Sequence, residues 1–254
     1  MPRRVDGVEA CTGACVAAQR PASGAGRQFG PSRWKRELEV KTVAILFARK
    51  DSNYKTLPGC DVWDADRDAR RWPGGGPLVA HPPCRAWGRL RHFARPRPDE
   101  KALGLWAADQ VRKWGGVLEH PAGSTLWDAA GLPQPGQRDK WGGWTLAAPQ
   151  KWWGHKAEKA TWFYVVGCAP GDVPALPYVM SEAAYVVQSR KRTDHRPHIT
   201  KAEREHTPPE LAAWLVELAR RCMTSNAKVT GSPDLSASPR GLTGYAAGGN
   251  LQEK

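Results

Sequence analysis

Long apolar runs and a framework spacing of cysteines are both missing from this sequence. Its 254 residues contain no stretch of about 18 apolar residues, so a membrane-spanning helix is not expected. The N-terminal arginines are not followed by the apolar core of a secretory signal, which indicates a cytoplasmic protein with reduced thiols. Six cysteines are scattered along the chain, and Cys11 and Cys15 have no second pair of ligands nearby. The sequence therefore predicts neither a disulfide framework nor a metal site.

Acidic residues are few compared with basic ones. The sequence has 25 Asp and Glu against 38 Lys and Arg, which gives a formal net charge of +13. This balance favours a polyanionic partner, with nucleic acid as the leading candidate. The sequence also has 13 tryptophans, and such rings are able to stack on bases. For any single tryptophan, however, a place in the core or at its rim is the favoured interpretation.

Periodic hydrophobicity is missing from both ends of the chain. Residues 1–40 are rich in Gly, Ala, Arg, Pro and Ser, and residues 224–254 have a similar composition. Segments of this kind cannot bury enough apolar surface to fold. A basic disordered tail is therefore predicted at 1–40 and a second disordered tail at 224–254, which leaves residues 41–223 as one domain.

Within residues 41–223, short apolar runs alternate with amphipathic segments. Strands are predicted at residues 42–48, 77–80, 117–118 and 161–166. One helix is predicted from an N-cap at Asp99 to Trp114, and a second from an N-cap at Thr207 to Arg221. This alternation predicts an α/β fold with a Rossmann-like, mostly parallel sheet and helices on both faces. In such sheets ligands bind at the carboxyl ends of the strands.

The most informative segment follows the strand predicted at 77–80. The strand runs into residues 81–84, His-Pro-Pro-Cys, where two prolines fix the backbone and would hold the Cys84 sulfur in one direction. Arg85, Arg89 and Arg91 come directly afterwards, and guanidinium groups favour a thiolate and hold phosphates. A nucleophile and a stiff loop with an incidental cysteine are equally open interpretations of this segment.

Two further segments place ionisable groups beside predicted strands. Glu119 follows the strand at 117–118, and a buried carboxylic acid with a raised pKa there would protonate or hydrogen-bond a ring nitrogen. Lys151, Lys156 and Lys159 precede the strand at 161–166. A solvated loop glutamate and a charged loop before a strand are the alternatives for these segments.

Taken in order, these motifs resemble those of the cytosine-5 DNA methyltransferases, especially small phage-encoded relatives. Pro82-Pro83-Cys84 is similar to the family's Pro-Cys nucleophile loop. Glu119-His120-Pro121 resembles its Glu-Asn-Pro element, with His120 in place of Asn. Lys159-Ala160-Thr161 matches the Lys-Ala-Thr of the phage relatives, with Lys159 standing for a family arginine. Residues 207–218 resemble the last motif, in which Val-Pro-Pro opens a helix that packs beside the cofactor strand.

The resemblance implies methyl transfer from S-adenosylmethionine to C5 of a cytosine flipped out of DNA, in the host cytoplasm if the protein is phage-encoded. In the family a thiolate adds to C6 and a glutamate assists at N3. The implied catalytic residues are Cys84, Glu119 and Lys159. The implied cofactor contacts are Phe47, Asp64, Asp66 and Pro82. The implied DNA contacts are Arg85, Arg89, Arg91 and Lys156.

The sequence also departs from the family pattern at two places. Residues 45–48 resemble the start of the cofactor motif, but Arg49, Lys50 and Asp51 stand where glycines are expected. The stretch between Cys168 and His206 is short for a target-recognition domain, and its basic segment 188–196 would do no more than hold phosphates. Two alternatives therefore stay open: an enzyme that modifies another pyrimidine with a different donor, and a non-catalytic DNA-binding module.

Overall fold

The computed structural model describes residues 41–188 and 193–222. The predicted tails, Cys11, Cys15 and part of the basic segment 188–196 lie outside the described residues. Six strands are present: β1 Val43–Ala48, β2 Cys60–Asp64, β3 Leu78–Ala80, β4 Gly116–Pro121, β5 Trp144–Pro149 and β6 Ala160–Val166. Four α-helices accompany them: α1 Glu100–Trp114, α2 Leu126–Ala129, α3 Lys201–Glu205 and α4 Pro209–Arg221.

All six strands belong to one mixed sheet with the order β2-β1-β3-β4-β6-β5. The pairs β1–β2, β1–β3 and β3–β4 are parallel, whereas β6 is antiparallel to both β4 and β5. Because β6 alone opposes its neighbours, the other five strands point in one direction. Their carboxyl ends therefore meet at one edge of the sheet.

Helices cover both faces of the sheet, because neighbouring strand residues point to opposite sides. On one face, Ile45, Val79 and Val117 pack with the apolar side of α4. On the other face, Leu46 and its neighbours in β3 and β4 pack with α1. Each layer excludes water from the central strands, so the sheet with helices on both sides is the α/β arrangement expected from the alternating pattern.

The four predicted strands are all present, with ends that differ by a few residues. Strands β2 and β5 were not predicted. Both lie at edges of the sheet, where strands are only half-buried, and the acidic residues of β2 interrupt any apolar run.

The predicted N-cap at Asp99 is confirmed, whereas the predicted N-cap at Thr207 is wrong. Asp99 occupies the N-cap position of α1 but makes no capping hydrogen bond, since its carboxylate pairs with Arg70 and Arg97. Helix α4 begins one residue later than a Thr207 cap requires, with Pro208 at its N-cap. The Thr207 carbonyl instead accepts a hydrogen bond from Asn53 at 2.7 Å.

Two further findings concern the described residues alone. None of their helices is both long and apolar enough to cross a bilayer. Within the same ranges, no three His, Cys, Asp or Glu side chains are grouped so that they could hold a metal ion.

Candidate active site at the carboxyl edge of the sheet

The strand order creates a crevice between β1 and β3. The chain leaves β1 for β2 on one side, then crosses over to β3 on the other side of β1. In open α/β sheets, ligands bind outside the carboxyl ends of the strands at such a switch point. The crevice is therefore where the fold itself favours a site.

A cavity of about 230 Å³ opens at this switch point. Its walls combine apolar, acidic and basic side chains, including Phe47, Pro83 and Leu103, Asp64, Asp68 and Asp99, and Arg70 and Arg97. Two of the four residues expected to contact a cofactor, Phe47 and Asp64, therefore line the same cavity. Pro82 is buried beside it, and its neighbour Pro83 takes the lining position.

Phe47 has a backbone conformation that L-amino acids rarely adopt. Its φ is 62°, at a point where the register of β1 against β2 shifts. Asp68, which lines the same cavity, also has a positive φ of 54°. Left-handed backbone at non-glycine residues costs about 1–3 kcal/mol each and collects at ligand sites. Phe47 therefore forms an irregularity inside β1, next to the residues that line the cavity.

The long cations after β1 are engaged with acidic partners. Arg49 forms ion pairs with Asp51 at 2.8 Å and Glu205 at 3.2 Å. Lys50 pairs with Asp66 at 2.8 Å, and Asp66 does not line the cavity at the switch point. The side chains of Arg49 and Lys50 therefore do not line the switch-point cavity, whereas Phe47 does.

Asp64 ends β2 with its carboxylate already bonded. One oxygen accepts hydrogen bonds from the backbone amides of Asp66 and Arg67, and the other pairs with Lys55 at 2.8 Å. The side chain is therefore held in one orientation at the cavity wall.

Cys84 lies on the loop beyond β3 and is exposed. Its carbonyl accepts hydrogen bonds from the amides of Trp87 and Gly88, and Trp87 is buried. The neighbouring protein atoms and the charge of Glu119 raise the pKa of the thiol, whereas the charge of Lys159 lowers it. The net shift is upward, so the expected thiolate-favouring effect of the adjacent arginines is wrong. Arg85 instead forms an ion pair with the buried carboxylate of Glu100.

Glu119 is held by partners from two other segments. His81 follows β3 directly, and its Nδ1 lies 3.0 Å from one carboxylate oxygen of Glu119. Gln150 Nε2 donates to the other oxygen at 2.9 Å. The register of β3 and β4 pairs Ala80 with Leu118, which places the next residue of each strand side by side.

These contacts keep Glu119 ionised. Burial raises the pKa of its carboxyl group, but the hydrogen bond from His81 and the charges of His81 and Lys159 outweigh burial and lower it to about 2. The expectation of a protonated acid with a raised pKa at this position is therefore wrong. Near neutral pH, Glu119 accepts hydrogen bonds and donates none.

Lys159 completes the group. It precedes β6, has a left-handed φ of 40°, and its backbone carbonyl accepts a hydrogen bond from Gln150. Burial lowers the pKa of the ammonium, while the charges of Glu119 and Cys84 raise it, with a net downward shift. Gln150 bonds both the Lys159 carbonyl and the Glu119 carboxylate, and His81, three residues before Cys84, contacts the same carboxylate. The segments that carry Cys84, Glu119 and Lys159 therefore adjoin.

Three functional neighbours were missed by reasoning from the sequence: His81, Gln150 and Tyr54. The hydroxyl of Tyr54 lies 2.8 Å from His81 Nε2, and Tyr54 is only 1% exposed. Because a carboxylate only accepts hydrogen bonds, His81 Nδ1 carries the proton that faces Glu119. His81 could have been found from its place in the His-Pro-Pro-Cys run, but Tyr54 and Gln150 carry no local signal.

His120, which stands where the family has Asn, is buried next to Trp127. Burial lowers the pKa of its imidazole to about 4, so the ring is neutral at neutral pH. The backbone of Pro83 faces the ring and raises its pKa against burial, although neither ring nitrogen makes a hydrogen bond of ordinary geometry with a described residue. A buried imidazole next to the loop that precedes Cys84 thus stands in place of the family's Asn.

The residues expected to contact DNA fall into two groups. Arg89 is exposed, and Arg91 donates only to the carbonyl of Gly88. Neither guanidinium pairs with a carboxylate of a described residue, so both positive charges on this loop are available to a phosphate. Arg85 is paired with Glu100, and Lys156 with Glu203. The unpaired charge of the predicted DNA surface thus lies on the loop after Cys84.

The charges around Cys84 predict how two substitutions change its reactivity. Below the pKa of a thiol, its alkylation rate follows the thiolate fraction. Glu119→Gln removes a charge that raises this pKa, so iodoacetamide should modify Cys84 severalfold faster than in the wild type. Lys159→Met removes the charge that lowers the pKa and should slow modification. Mass spectrometry of the Cys84 peptide at several pH values measures both rates.

Two controls accompany this experiment. Glu158→Gln removes an exposed charge from the same segment and should leave the rate at Cys84 unchanged. Modification of Cys60 in the same digests reports on general unfolding. Equal rates at Cys84 in Glu119→Gln, Lys159→Met and the wild type would contradict the arrangement.

Comparisons of the chain with protein-family models, with curated proteins and with solved structures found no match.

Proposed function

We propose that this chain is a DNA base-modifying enzyme that transfers a methyl group to C5 of cytosine through a Cys84 adduct, on a Rossmann-like sheet. The observation that carries the proposal is that the segments of Cys84, Glu119 and Lys159 adjoin through the contacts of His81 and Gln150, while Pro83, next to Cys84, lines the switch-point cavity. A nucleophile, a fixed acceptor and a cationic donor are the groups that such a reaction needs around a pyrimidine.

Three residues of the chain have different roles at the cytosine ring. The Cys84 thiol loses its proton, and the sulfur forms a bond to C6 while the C5–C6 double bond shifts its electrons toward C5. Glu119, as an ionised acceptor, suits the exocyclic amino group of cytosine. Lys159 carries N–H donors that suit the ring nitrogen N3 or the carbonyl oxygen, where negative charge develops. Water would accept the thiol proton, and the thioether left after loss of the methyl group would be the leaving group of the transfer to C5. Water then accepts the C5 proton, and the electrons of that C–H bond re-form the C5–C6 double bond and expel the Cys84 thiolate.

The cavity suits the nucleoside part of S-adenosylmethionine. Asp64 and Asp68 offer carboxylates for ribose hydroxyls, and Phe47 and Leu103 offer apolar surface for a purine. Its volume of about 230 Å³ is below the roughly 300–1,000 Å³ of whole small-molecule sites, which is consistent with part of the donor. When bound, S-adenosylmethionine supplies an electrophilic methyl group.

Nucleoside analysis tests the proposal. The wild type, Cys84→Ser and the control Cys60→Ala are expressed in a methylation-deficient host, and purified proteins are also incubated with DNA and S-adenosylmethionine. We expect 5-methylcytosine with the wild type and the control, and none with Cys84→Ser. A Cys84-dependent nucleoside of another mass would indicate another base or donor. No new nucleoside, together with retained DNA binding, would favour a non-catalytic binding module.

A further inference from the structure

The loop after Cys84 exposes an aromatic ring to solvent. Phe93 closes a 3₁₀ turn, Arg91–Phe93, and is 88% exposed. A phenylalanine left in water gives up the stabilisation that burial provides. Single exposed apolar residues are ordinary on protein surfaces, so exposure alone carries nothing.

The loop holds Phe93 in place by its own hydrogen bonds. The amide of Phe93 donates to the carbonyl of Leu90 at 3.0 Å, and that of Ala94 donates to Arg91 at 3.2 Å. Buried Trp87 anchors the start of the loop, and its carbonyl accepts a hydrogen bond from Thr125. The loop that positions Cys84 therefore also presents the ring of Phe93.

Positive charge surrounds this ring. Residues 85–98 contain five arginines and no acidic residue. Arg85 and Arg97 are held by Glu100. Arg89 and Arg95 are exposed and form no ion pair with a described residue, so their charge is available to an anionic partner.

The segment between β6 and α3 offers little for reading a duplex. Its described residues contain one 3₁₀ turn, Pro170–Asp172, and no α-helix or strand. Proteins that read duplex sequence place a helix or a β-ribbon in the major groove. Stacking on an exposed ring, by contrast, needs a base whose face is not covered by its neighbours.

We propose that the DNA substrate is single-stranded or locally unpaired, with Phe93 stacked on an unpaired base and Arg89 and Arg95 on the flanking phosphates. Basic side chains beside an exposed aromatic ring are the combination that binds single strands without sequence preference. An unpaired target base also removes the energetic cost of extracting it from a duplex. The inference rests on the proposed function for DNA as the partner, and it adds the form of that DNA.

Binding by the full chain with Cys84→Ala tests the inference apart from catalysis. Fluorescence anisotropy compares a labelled mixed-sequence oligonucleotide alone and annealed to its complement. We expect tighter binding of the single strand. Phe93→Ala should weaken single-strand binding by about 5- to 150-fold and leave duplex binding nearly unchanged, whereas Phe93→Trp should retain the preference. Arg89→Ala should lower the salt dependence of single-strand binding by about 0.7 in log–log slope.

The matched control is Tyr178→Ala, which removes another exposed ring outside this loop and should change neither affinity. Equal affinity for both forms, or a Phe93→Ala variant that binds the single strand as the parent does, would overturn the inference and leave the proposed function standing. Failure to bind both the single strand and the duplex would contradict the inference and the proposed function together.

Discussion

Replacing Cys84 with serine is expected to abolish covalent capture of DNA that contains 5-fluorocytosine. Fluorine at C5 cannot leave as the proton does, so after methyl transfer the bond from sulfur to C6 persists and survives denaturing electrophoresis. A serine hydroxyl is a far weaker nucleophile without an adjacent base, and captured DNA should fall below about 1% of the wild-type amount. A single-stranded oligonucleotide with S-adenosylmethionine is the substrate for this measurement.

Cys60→Ala is the matched control, because Cys60 is a free, half-buried thiol in β2 at the edge of the sheet. Its capture yield should equal that of the wild type. Equal capture by Cys84→Ser would show that another group attacks the base. Cys84-dependent capture with a different donor in place of S-adenosylmethionine would retain the nucleophile and change the reaction.

Gly116→Ala is expected to unfold the domain or to destabilise it by more than about 4 kcal/mol. Gly116 opens β4 with a φ of 125°, and a Cβ atom there would lie 2.0 Å from the carbonyl oxygen of Leu78 in β3. That oxygen belongs to the backbone of a central strand, so it cannot move aside without breaking the pairing of β3 and β4. Urea denaturation followed by circular dichroism measures the loss.

Gly131→Ala separates this clash from backbone strain. Gly131 also has a positive φ, 59°, but no atom lies within 4 Å of its added Cβ. Its substitution should therefore cost only the left-handed backbone term, about 1–2 kcal/mol. If Gly116→Ala were no more destabilising than Gly131→Ala, the close approach of β3 and β4 would be wrong, and with it the side-by-side placement of His81 and Glu119.

The central strands could be predicted from the sequence because burial on both faces demands continuous apolar runs. The run at 42–48 and the short run at 77–80 carry that signal directly. The edge strand β2 has solvent on one side, and Asp61 and Asp64 break its pattern. Thr207 has a residue type that favours the cap position, yet Pro208 is the N-cap and the helix begins at Pro209.

Positions in the candidate site were easier to predict than their protonation states. Glu119 lies in β4 and Cys84 follows β3, and the parallel pairing of these strands brings the two segments to the same edge of the sheet. The charge on Glu119 depends on His81 and Gln150, which come from separate segments, and on Lys159. The raised pKa of Cys84 likewise depends on burial and on Glu119, which lies on another strand, while Arg85 pairs with Glu100.

The raised pKa of Cys84 bears on its sensitivity to oxidation. Oxidants and electrophiles in the cell attack thiolates, and a solvent-facing thiolate would be lost steadily to sulfenic acid and its further oxidation products. The neighbouring protein atoms and the charge of Glu119 raise the pKa of Cys84, so this exposed side chain stays a thiol and reacts more slowly with oxidants than a thiolate would. Under the proposed function, a cytosine whose N–H groups bind the Glu119 carboxylate would weaken the effect of that charge on Cys84. The pKa of the thiol would then fall, and its thiolate fraction would rise only when the cytosine is bound.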